Sequence, residues 1–413
     1  MSLGTHIRLE RPLVVVMVGL PARGKTYIAR KLARYLAWTG YQTEVFNVGN
    51  YRRERFGAKV PASFFDPNNP EGLGSRRKAA LFALEDLLQW VQRGGQIGIY
   101  DATNSTLERR QLVVEHCERA GLDVLFIETL CDDPEIIESN IRETKVSAPD
   151  YAGVDPAQAV ADFRARIAHY ERAYESIESE HFSFVKVHDV GRRVVAQNVR
   201  GYIQGRITQF VMNLHTVPRT IWLTRHGEST ANLAGVLGTD MPITSRGAEY
   251  AKNLAKFFEN QATQPGSIWT STLQRTIQTA TPLAKPTHEL KVLDEIDAGI
   301  CDGMTYEQIA DQMPSDFARR KADKLTYRYP RGESYEDVIA RLDPFILELE
   351  RQQKPALIVS HQAVIRVLYG YLSGKERHEV PHLEVPLHTV IELTPRAYGC
   401  DEVRSQLGPD QAP

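Results

Sequence analysis

The chain reads LVVVMVGLPARGKT over residues 13–26, and this stretch indicates the architecture of its first half. Residues 13–20 are apolar and rich in β-branched side chains, which predicts a buried parallel strand. Residues 19–26 fit the pattern G-x-x-x-x-G-K-[ST], which is typical of a loop that cradles phosphate between a strand and a helix. Residues 25–38 continue with apolar side chains at helical spacing, namely Ile28, Leu32 and Leu36. A strand, a phosphate loop and a helix in this order predict an α/β domain.

The same alternation of short strands and amphipathic helices continues to residue 188. We predict strands at residues 43–47, 97–101, 124–130 and 184–188. We predict helices at residues 76–93, 107–120, 134–142 and 156–179. Residues 192–215 alternate basic and apolar side chains and are expected to bridge into a second domain. The boundary is expected at residues 216–218, so that the first domain covers residues 1–217.

A second α/β pattern starts at residue 220, where a predicted strand at 220–224 runs directly into Arg225-His226. Further strands are predicted at residues 267–270, 290–293, 356–360 and 389–393. Helices are predicted at residues 245–260, 273–284, 334–352 and 363–372. The residues after Cys400 are polar and are expected to fray. The second domain is therefore expected to cover residues 218–413.

Composition narrows the class of protein. With 413 residues and a net charge of −2, the chain lacks the basic excess that nucleic-acid binding needs. Its four cysteines form no C-x-x-C pair, which disfavours a disulfide framework or a zinc site. The apolar run at 13–20 is too short to span a bilayer, and Arg23 and Lys25 follow it too closely for a secretory signal. Together these features predict a soluble cytoplasmic protein with no nucleic-acid or membrane partner.

The phosphate loop assigns a first candidate site. Gly19 and Gly24 let backbone N–H groups close around a phosphate, and Lys25 neutralises its oxygens. Thr26 is a candidate magnesium ligand. Asp101 ends the predicted strand at 97–101, where an aspartate would hold the same ion, although an aspartate there can also serve as a turn or cap residue.

Three other groups in the first half are candidates with an alternative explanation. Arg52 follows a predicted strand and Arg76 begins a basic run, so both suit a phosphorylated acceptor, although charged runs are also common on solvated surfaces. Cys131 follows a strand and is either a site residue or a plain buried thiol.

The second candidate site is built on histidine. A neutral imidazole at His226 can attack phosphorus if arginines hold the phosphoryl oxygens, and Arg225 and Arg275 are candidates. His361 also follows a predicted strand. A single histidine at a strand end is commonly a packed or capping residue, whereas two of them in one domain favour a phosphatase pocket.

The phosphatase chemistry also needs an acid and a means of holding the rest of the substrate. Glu295 lies in the acidic segment 294–297 and is the candidate proton donor, although such a segment can also be mere surface. Asn232 is placed to donate a further hydrogen bond. Arg320, Lys324 and the aromatic residues up to Tyr335 indicate either a lid over an anionic ligand or a solvated basic helix with a turn.

With these residues in view, the chain closely resembles the 6-phosphofructo-2-kinase/fructose-2,6-bisphosphatase family from about Pro12 to Cys400. The likeness is carried by the stretches GLPARGKTYIARKL, FNVGNYRR, YDATNSTLERR, DPEIIESNI, KVSAPDY, TRHGEST, TLQRTIQTA, LDEIDAG, YRYPRGESYEDV and SHQAVIRVL. Cysteine is common in the family where this chain has Ala79 and Ser360, and neither change removes a group that the mechanism needs. The resemblance implies an N-terminal P-loop kinase domain with a mostly parallel sheet. It also implies a C-terminal α/β domain of the histidine-phosphatase, phosphoglycerate mutase-like class.

For the kinase half, the resemblance implies that ATP, with Mg²⁺, binds to residues 19–26, Asn140 and residues 142–145, which include Lys145. Asp101 and Cys131 match active-site positions of the family. No residue in these motifs is an obvious general base, so we expect positioning and charge stabilisation by Lys25 and magnesium to dominate. Fructose 6-phosphate would bind to Arg52, Arg76, Thr103, Arg109, Lys145, Arg166 and Tyr170.

For the phosphatase half, the resemblance implies that His226 becomes the phosphohistidine and that Glu295 donates and accepts the proton, with no cofactor. Arg225, Arg275 and His361 would hold the transferred phosphoryl group. The rest of fructose 2,6-bisphosphate would bind to Asn232, Gly238, Tyr306, Arg320, Lys324, Tyr335, Gln362 and Arg366. The family also suggests a homodimer.

Two other functions fit the residues. The same architecture suits a kinase and phosphatase pair that acts on another phosphorylated sugar. A nucleotide-binding sensor without turnover is the third hypothesis, and the presence of Lys25, Asp101, His226, Glu295 and His361 argues against it.

Overall fold

The structure is a computed structural model that describes residues 9–142, 149–215, 218–396 and 399–408. These residues form two compact units, one within residues 5–216 and the other within residues 217–413. In the described ranges, no helix is both long enough and apolar enough to cross a membrane.

The first unit is built on a six-stranded sheet with the order β2-β3-β1-β4-β5-β6. All neighbouring strands are parallel except the last pair, which is antiparallel. The strands are Leu13–Val18 (β1), Thr43–Asn47 (β2), Ile97–Asp101 (β3), Asp123–Leu130 (β4), Phe184–His188 (β5) and Arg193–Gln197 (β6). The helices are Lys25–Trp38 (α1), Val48–Phe56 (α2), Pro70–Gln92 (α3), Leu107–Arg119 (α4), Pro134–Asn140 (α5), Pro156–Glu171 (α6) and Gly201–Met212 (α7).

The core of this unit explains why the opening strand is entirely apolar. Every residue of β1 is buried, because β1 lies in the middle of the sheet with helices on its faces. The helix α3 packs closely on β3, where Leu87 lies against Gly98: a Cβ at Gly98 would be 2.8 Å from Leu87 Cγ. Glycine at this position therefore lets the helix approach the sheet.

The second unit is also a six-stranded sheet, with the order β12-β11-β7-β10-β8-β9. Four strands are parallel, and β11 and β12 extend one edge as antiparallel strands. The strands are Ile221–Arg225 (β7), Ser267–Thr270 (β8), His288–Glu289 (β9), Ala356–Ser360 (β10), Thr389–Arg396 (β11) and Gly399–Gln406 (β12). The helices are Thr230–Ala234 (α8), Ser245–Glu259 (α9), Gln274–Ala280 (α10), Tyr306–Gln312 (α11), Pro314–Ala322 (α12), Tyr335–Arg351 (α13) and Gln362–Ser373 (α14).

The predicted fold class is confirmed, and the differences are local. The predicted helix at 156–179 ends at Glu171, after which Tyr174 and Ile177 bond the buried carboxylate of Glu128 instead of continuing the helix. The predicted strand at residues 290–293 is wrong, because Lys291–Leu293 form a 3-10 helix with Leu290 as its N-cap. Residues 401–406, which were predicted to fray, instead belong to β12, which pairs with β11 over eight positions, and residues 409–413 lie outside the described ranges.

We predict that Gly98→Ala will destabilise the first unit by about 1–3 kcal/mol, because the new methyl group overpacks against Leu87. Leu87→Ala should cost about 2–5 kcal/mol through the cavity it leaves. The double variant should lose less than the sum, since each change relieves the other. Calorimetric unfolding of the full chain measures all three, and strict additivity would contradict the proposed contact.

Candidate active sites

The phosphate loop of the first unit depends on two glycines with positive φ. Gly19 has φ 139° and Gly24, the N-cap of α1, has φ 81°. A Cβ at Gly19 would lie 2.6 Å from the carbonyl oxygen of Thr129, so a larger residue does not fit. The Gly19 N–H donates to the carbonyl oxygen of Thr103 at 3.0 Å, which ties the loop to the segment after β3. The loop therefore has the form that a bound phosphate requires at the start of a helix.

Lys25 and Asn140 both contact this loop. Lys25 is buried, and its Nζ donates to the carbonyl oxygen of Leu20 at 2.6 Å, so the side chain lies back along the loop. Asn140, the last residue of α5, donates from Nδ2 to the carbonyl oxygen of Ala22 at 3.1 Å. The structure thus brings two of the predicted nucleotide-binding residues together. Lys145, the third, lies outside the described residues.

Asp101 lies at the same edge of the sheet as the loop. It is the last residue of β3, it is 2% exposed, and its Oδ2 accepts from Asn47 Nδ2 at 2.5 Å. The strand β1, which leads into the loop, pairs directly with β3. Carboxylate and hydroxyl oxygens are the ligands that Mg²⁺ prefers, so Asp101 and Thr26 fit such an ion.

Cys131 follows β4 and is buried. Burial raises the pKa of its thiol above the ordinary value, so the group is a protonated thiol at neutral pH. A thiolate nucleophile is therefore not the form that the structure favours, and a role for Cys131 in the site stays a prediction.

Four residues predicted to bind a phosphorylated acceptor gather near Phe65. The guanidinium carbon of Arg52 lies 5.7 Å from the Phe65 ring centre, and that of Arg166 lies 4.6 Å from it. The Tyr170 ring centre is 5.9 Å from the same ring, and the guanidinium carbon of Arg76 is 5.9 Å from Tyr170. Guanidinium groups stack on aromatic faces in this way, while their N–H groups donate to backbone carbonyl and carboxylate oxygens.

Asp150 orients these cations, and the sequence analysis did not single it out. It is 8% exposed, and its Oδ1 accepts from Arg52 at 2.6 Å while its Oδ2 accepts from Arg53 at 3.1 Å. Arg166 lies 3.9 Å from Oδ1. Arg166 also donates from Nε to Asp162 Oδ2 at 2.8 Å, so three guanidinium groups share two carboxylates and the cluster keeps a positive excess. The only signal in the sequence was its place in the stretch KVSAPDY.

The remaining predicted residues of the first unit lie on the segment after β3. Thr103 bonds the phosphate loop through its carbonyl group, as described above. Arg109 lies in the first turn of α4, with Nη2 3.5 Å from Tyr100 Oη, which itself donates to the carbonyl oxygen of Ala80 on α3. Arg109 therefore borders the helix that carries Arg76.

In the second unit, His226 follows β7 and is nine-tenths buried. Its Nδ1 lies 2.7 Å from the carbonyl oxygen of Gly227, which can only accept, so Nδ1 carries the proton. Burial, together with the positive charges of Arg275 and Arg225, lowers the pKa of His226 to about 3. The imidazole is therefore neutral at physiological pH, and the lone pair of Nε2 is free to act as a nucleophile.

Two arginines beside His226 keep donors unused. Arg225 donates from Nη1 to the carbonyl oxygen of Val385 at 3.2 Å, while its buried Nε has no partner among the described residues. Arg275 donates from Nε to His361 Nδ1 at 3.2 Å and from Nη1 to the carbonyl oxygen of Thr239 at 2.6 Å. Burial lowers the pKa of Arg225 to about 10, which still leaves it charged at neutral pH. Both arginines can therefore bind a phosphoryl group.

The ring centre of His361 is 5.1 Å from that of His226. Both nitrogens of His361 bond protein atoms, because Nδ1 accepts from Arg275 and Nε2 lies 2.7 Å from Ser271 Oγ. The structure thus brings the two predicted histidines together. A direct contact between His361 and a phosphoryl group stays a prediction.

Glu295 is held with one carboxylate oxygen towards the protein. Its Oε1 accepts from the backbone N–H groups of Ile296 at 2.9 Å and Ala363 at 3.1 Å, the latter in the first turn of α14. Arg341 fixes the main chain here by donating to the carbonyl oxygens of Asp294 at 2.6 Å and Glu295 at 3.3 Å. Glu295 Oε2 makes no hydrogen bond within the described ranges, so this oxygen can carry the proton that the chemistry needs.

A second group of cations contains the predicted residues Arg320, Lys324 and Arg366. Arg320 donates to Tyr329 Oη and to Tyr306 Oη, each at 2.8 Å, and Arg366 donates to Tyr335 Oη at 3.1 Å. Lys324 lies 5.9 Å from the ring centre of Tyr335. Burial, followed by the charges of Arg366 and Arg320, lowers the pKa of Lys324 to about 8. These contacts favour the prediction of an anion site over that of a solvated basic helix.

One short segment, residues 381–385, supports cations of both groups through its main chain. The carbonyl oxygen of Pro381 accepts from Lys324 at 2.8 Å, that of Leu383 from Arg366 at 2.7 Å, and that of Val385 from Arg225 at 3.2 Å. We call this segment the carbonyl strip. No sequence pattern reveals this segment, because every residue has a carbonyl group.

The other predicted residues of this half have supporting positions. Asn232 Oδ1 accepts from the Ser229 N–H at 3.0 Å in a capping box at the start of α8, and Gln362 is the first residue of α14. Gly238 has φ 66°, and a Cβ there would lie 1.4 Å from Asp302 Oδ1, which accepts from the Thr239 N–H at 2.7 Å. Since the carbonyl group of Thr239 bonds Arg275, Gly238 helps to position that arginine.

Comparisons with known proteins match each half of the chain to a different protein family. The 6-phosphofructo-2-kinase family profile matches residues 4–218, and that of the histidine phosphatase superfamily (branch 1) matches residues 221–407. The chain is 48% identical over 394 residues to a 6-phosphofructo-2-kinase/fructose-2,6-bisphosphatase of Gallus gallus, covering 94% of this chain and 84% of that protein. It is 48% identical over 393 residues to 6-phosphofructo-2-kinase/fructose-2,6-bisphosphatase 4 of Rattus norvegicus, with coverage of 94% and 84%. For 6-phosphofructo-2-kinase/fructose-2,6-bisphosphatase 3 of Homo sapiens, identity is 48% over 394 residues, with coverage of 94% and 76%.

We predict that Gly238→Ala will destabilise the second unit more than the matched control Gly235→Ala. Both glycines have φ 66°, so both variants carry the same backbone strain of about 1–2 kcal/mol. A Cβ at Gly235 meets nothing within 4 Å, whereas one at Gly238 displaces Asp302 and breaks a charged hydrogen bond worth about 1.5–3 kcal/mol. Calorimetric unfolding measures the difference, and equal losses would contradict this account.

Proposed function

This chain belongs to the 6-phosphofructo-2-kinase/fructose-2,6-bisphosphatase family, and from that premise we propose how its residues carry out the two reactions. The chain is a bifunctional enzyme that synthesises and hydrolyses fructose 2,6-bisphosphate. We assign the kinase to residues 1–217 and the phosphatase to residues 218–413. The observation that carries the proposal is the neutral His226, whose Nε2 is free beside two arginines.

In the kinase, the loop of residues 19–26 would hold the phosphates of ATP, with Asn140 and Lys145 contributing to nucleotide binding. Thr26 and Asp101 would hold Mg²⁺, which neutralises phosphate oxygens when it is bound. Lys25 would exchange its contact with the Leu20 carbonyl group for a phosphate oxygen. These assignments are supported by the close approach at Gly19 and by the burial of Asp101.

Fructose 6-phosphate would bind at the arginine cluster around Phe65. Arg52, Arg53 and Arg166 lie there with their three charges only partly compensated by Asp150 and Asp162, which suits a sugar phosphate. The further ligands would be Arg76, Thr103, Arg109, Lys145 and Tyr170. Because no general base is evident for the 2-hydroxyl group, catalysis would depend on positioning and on the charge of Lys25.

In the phosphatase, His226 Nε2 would attack the phosphorus of the 2-phosphate while Arg225 and Arg275 bind its oxygens. The bond between phosphorus and the sugar oxygen breaks, and protonated Glu295 supplies a proton to that oxygen. The resulting carboxylate then takes a proton from water, whose oxygen attacks the phosphohistidine. Phosphate leaves, and both His226 and the protonated Glu295 are restored. The proton on His226 stays on Nδ1 throughout, hydrogen-bonded to the Gly227 carbonyl oxygen.

The rest of the bisphosphate would bind at the second cation group. Arg320, Lys324 and Arg366 suit the 6-phosphate, since they are close together and are supported by tyrosine hydroxyl and carbonyl groups. The further ligands would be Asn232, Gly238, Tyr306, Tyr335 and Gln362. A homodimer and a cytoplasmic location are part of the same proposal and stay predictions.

The proposal predicts that the two activities can be removed separately. Lys25→Met should abolish formation of the acid-labile 2-phosphate ester from ATP and fructose 6-phosphate, and should leave hydrolysis of fructose 2,6-bisphosphate intact. His226→Ala should do the reverse, and it should abolish transfer of labelled 2-phosphate to the protein. Each variant is the control for the other. Folded wild-type protein that uses another sugar phosphate in preference, in a substrate panel, would contradict the assignment of substrate.

The pKa of Lys324 predicts a pH dependence of the phosphatase. As pH rises through about 8, the free enzyme loses the positive charge of Lys324, so KM for fructose 2,6-bisphosphate should rise between about pH 7 and pH 9. The pKa of His226 is about 3, so this residue does not titrate in that range. Lys324→Arg keeps its charge and should flatten the profile. A wild-type KM as flat as that of the variant would contradict the assignment.

A further inference from the structure

Ser271 lies at the end of β8 with no solvent-accessible surface, and its hydroxyl group contacts three polar groups. Its Oγ is 2.7 Å from His361 Nε2 and 2.9 Å from Thr276 Oγ1, and it accepts from the Leu273 N–H at 3.1 Å. None of the roles given above to the phosphatase residues includes this hydroxyl group.

The contacts of His361 fix which nitrogen carries its proton. Arg275 Nε can only donate, so His361 Nδ1, which lies 3.2 Å away, must be an unprotonated acceptor. The ring is neutral, since complete burial and the charge of Arg275 lower its pKa well below the ordinary value. The proton is therefore on Nε2, and it is donated to Ser271 Oγ.

The direction of the other hydrogen bonds follows. Ser271 Oγ accepts from His361 and from the Leu273 N–H, so its own proton goes to Thr276 Oγ1. Thr276 Oγ1 in turn donates to the carbonyl oxygen of Leu273 at 2.9 Å. A carbonyl group can only accept. The hydrogen bonds that run from Arg275 through His361, Ser271 and Thr276 to the Leu273 carbonyl group therefore have one consistent donor-to-acceptor direction. Buried networks of this kind are stable only when every member is satisfied.

This direction matters for Arg275. If His361 carried its proton on Nδ1, two N–H groups would face each other, and Arg275 would lose the contact that holds its Nε. Its Nη1 is already bonded to the carbonyl group of Thr239, so the two contacts together leave Nη2 as the free edge.

We propose that Ser271 is a positioning residue of the phosphatase, whose hydroxyl group fixes the tautomer of His361 and thereby orients the guanidinium group of Arg275 towards the phosphoryl group on His226. The proposal rests on the phosphatase function proposed above.

The chain offers a matched control for the test. Thr270, the last residue of β8, directly precedes Ser271 and is also without exposed surface, yet its hydroxyl group has no hydrogen-bond partner among the described residues. Ser271→Ala and Thr270→Val each remove one buried hydroxyl group. Ser271→Ala should lower the phosphatase kcat by about 10- to 100-fold with a smaller change in KM, less than the roughly 100- to 1000-fold expected for loss of a direct donor. Thr270→Val should leave kcat within about twofold of wild type, and calorimetric unfolding of both variants reports whether the second unit is folded.

Two further measurements distinguish a positioning role of Ser271 from a merely structural one. Nitrogen NMR of the histidine rings should show His361 protonated at Nε2 alone in the wild type, and a mixture of tautomers in Ser271→Ala. The Arg275→Lys variant lacks the Nε contact. Adding Ser271→Ala to that variant should lower its kcat by less than a further twofold. A full additional loss there, or an unchanged tautomer in Ser271→Ala, would overturn the proposal. The NMR result does not require turnover, so an inactive wild type would contradict the phosphatase function without deciding the role of Ser271.

Discussion

The arrangement on which the second unit depends is the support of buried cations by neutral oxygen atoms. The side chains of Arg225, Lys324 and Arg366 each donate to a carbonyl group of the carbonyl strip, and Arg275 donates to the carbonyl group of Thr239. A carbonyl group satisfies a donor and fixes its direction without cancelling its charge, whereas a carboxylate would compete with the substrate for the cation. Burial, together with the charges of Arg275 and Arg225, keeps His226 unprotonated, so two of these cations serve both the nucleophile and the anion site.

The clustered arginines of the first unit are supported in a different way. Arg52, Arg53 and Arg166 surround the carboxylate of Asp150, and Arg166 also pairs with Asp162. Backbone carbonyl groups at residues 57, 58 and 60 accept the further hydrogen bonds of Arg52 and Arg166. Burial lowers the pKa of Arg52, while the hydrogen bond that Arg52 donates to Asp150 opposes that shift. Two carboxylates among three guanidinium groups orient them and still leave a positive excess. The phosphate loop needs no such partner, because backbone N–H groups at the start of α1 bind anions without a formal charge.

Much of both sites could be predicted from the sequence, because their residues follow apolar strands whose ends meet at one edge of a sheet. Asp101, His226 and His361 are of this kind. Asp150 and Ser271 could not be predicted in the same way, since their roles come from contacts with residues far away in the chain. The strand β12 was missed because its side chains are mostly exposed and polar, and only the pairing with β11 reveals it. The early end of α6 was missed because the buried Glu128 that binds the following residues lies on a different element.

The carbonyl strip also limits how the phosphatase pocket can vary. Its acceptors belong to residues two apart in the chain, and covalent geometry keeps neighbouring acceptors of this kind within about 7 Å. The cations that they hold serve both ends of the proposed substrate. The spacing of the cations is therefore tied to the spacing of these carbonyl groups along the main chain. A displacement of the whole strip would move the cations at both ends of the site together. An insertion or deletion within the strip would alter the spacing that a doubly phosphorylated ligand has to match.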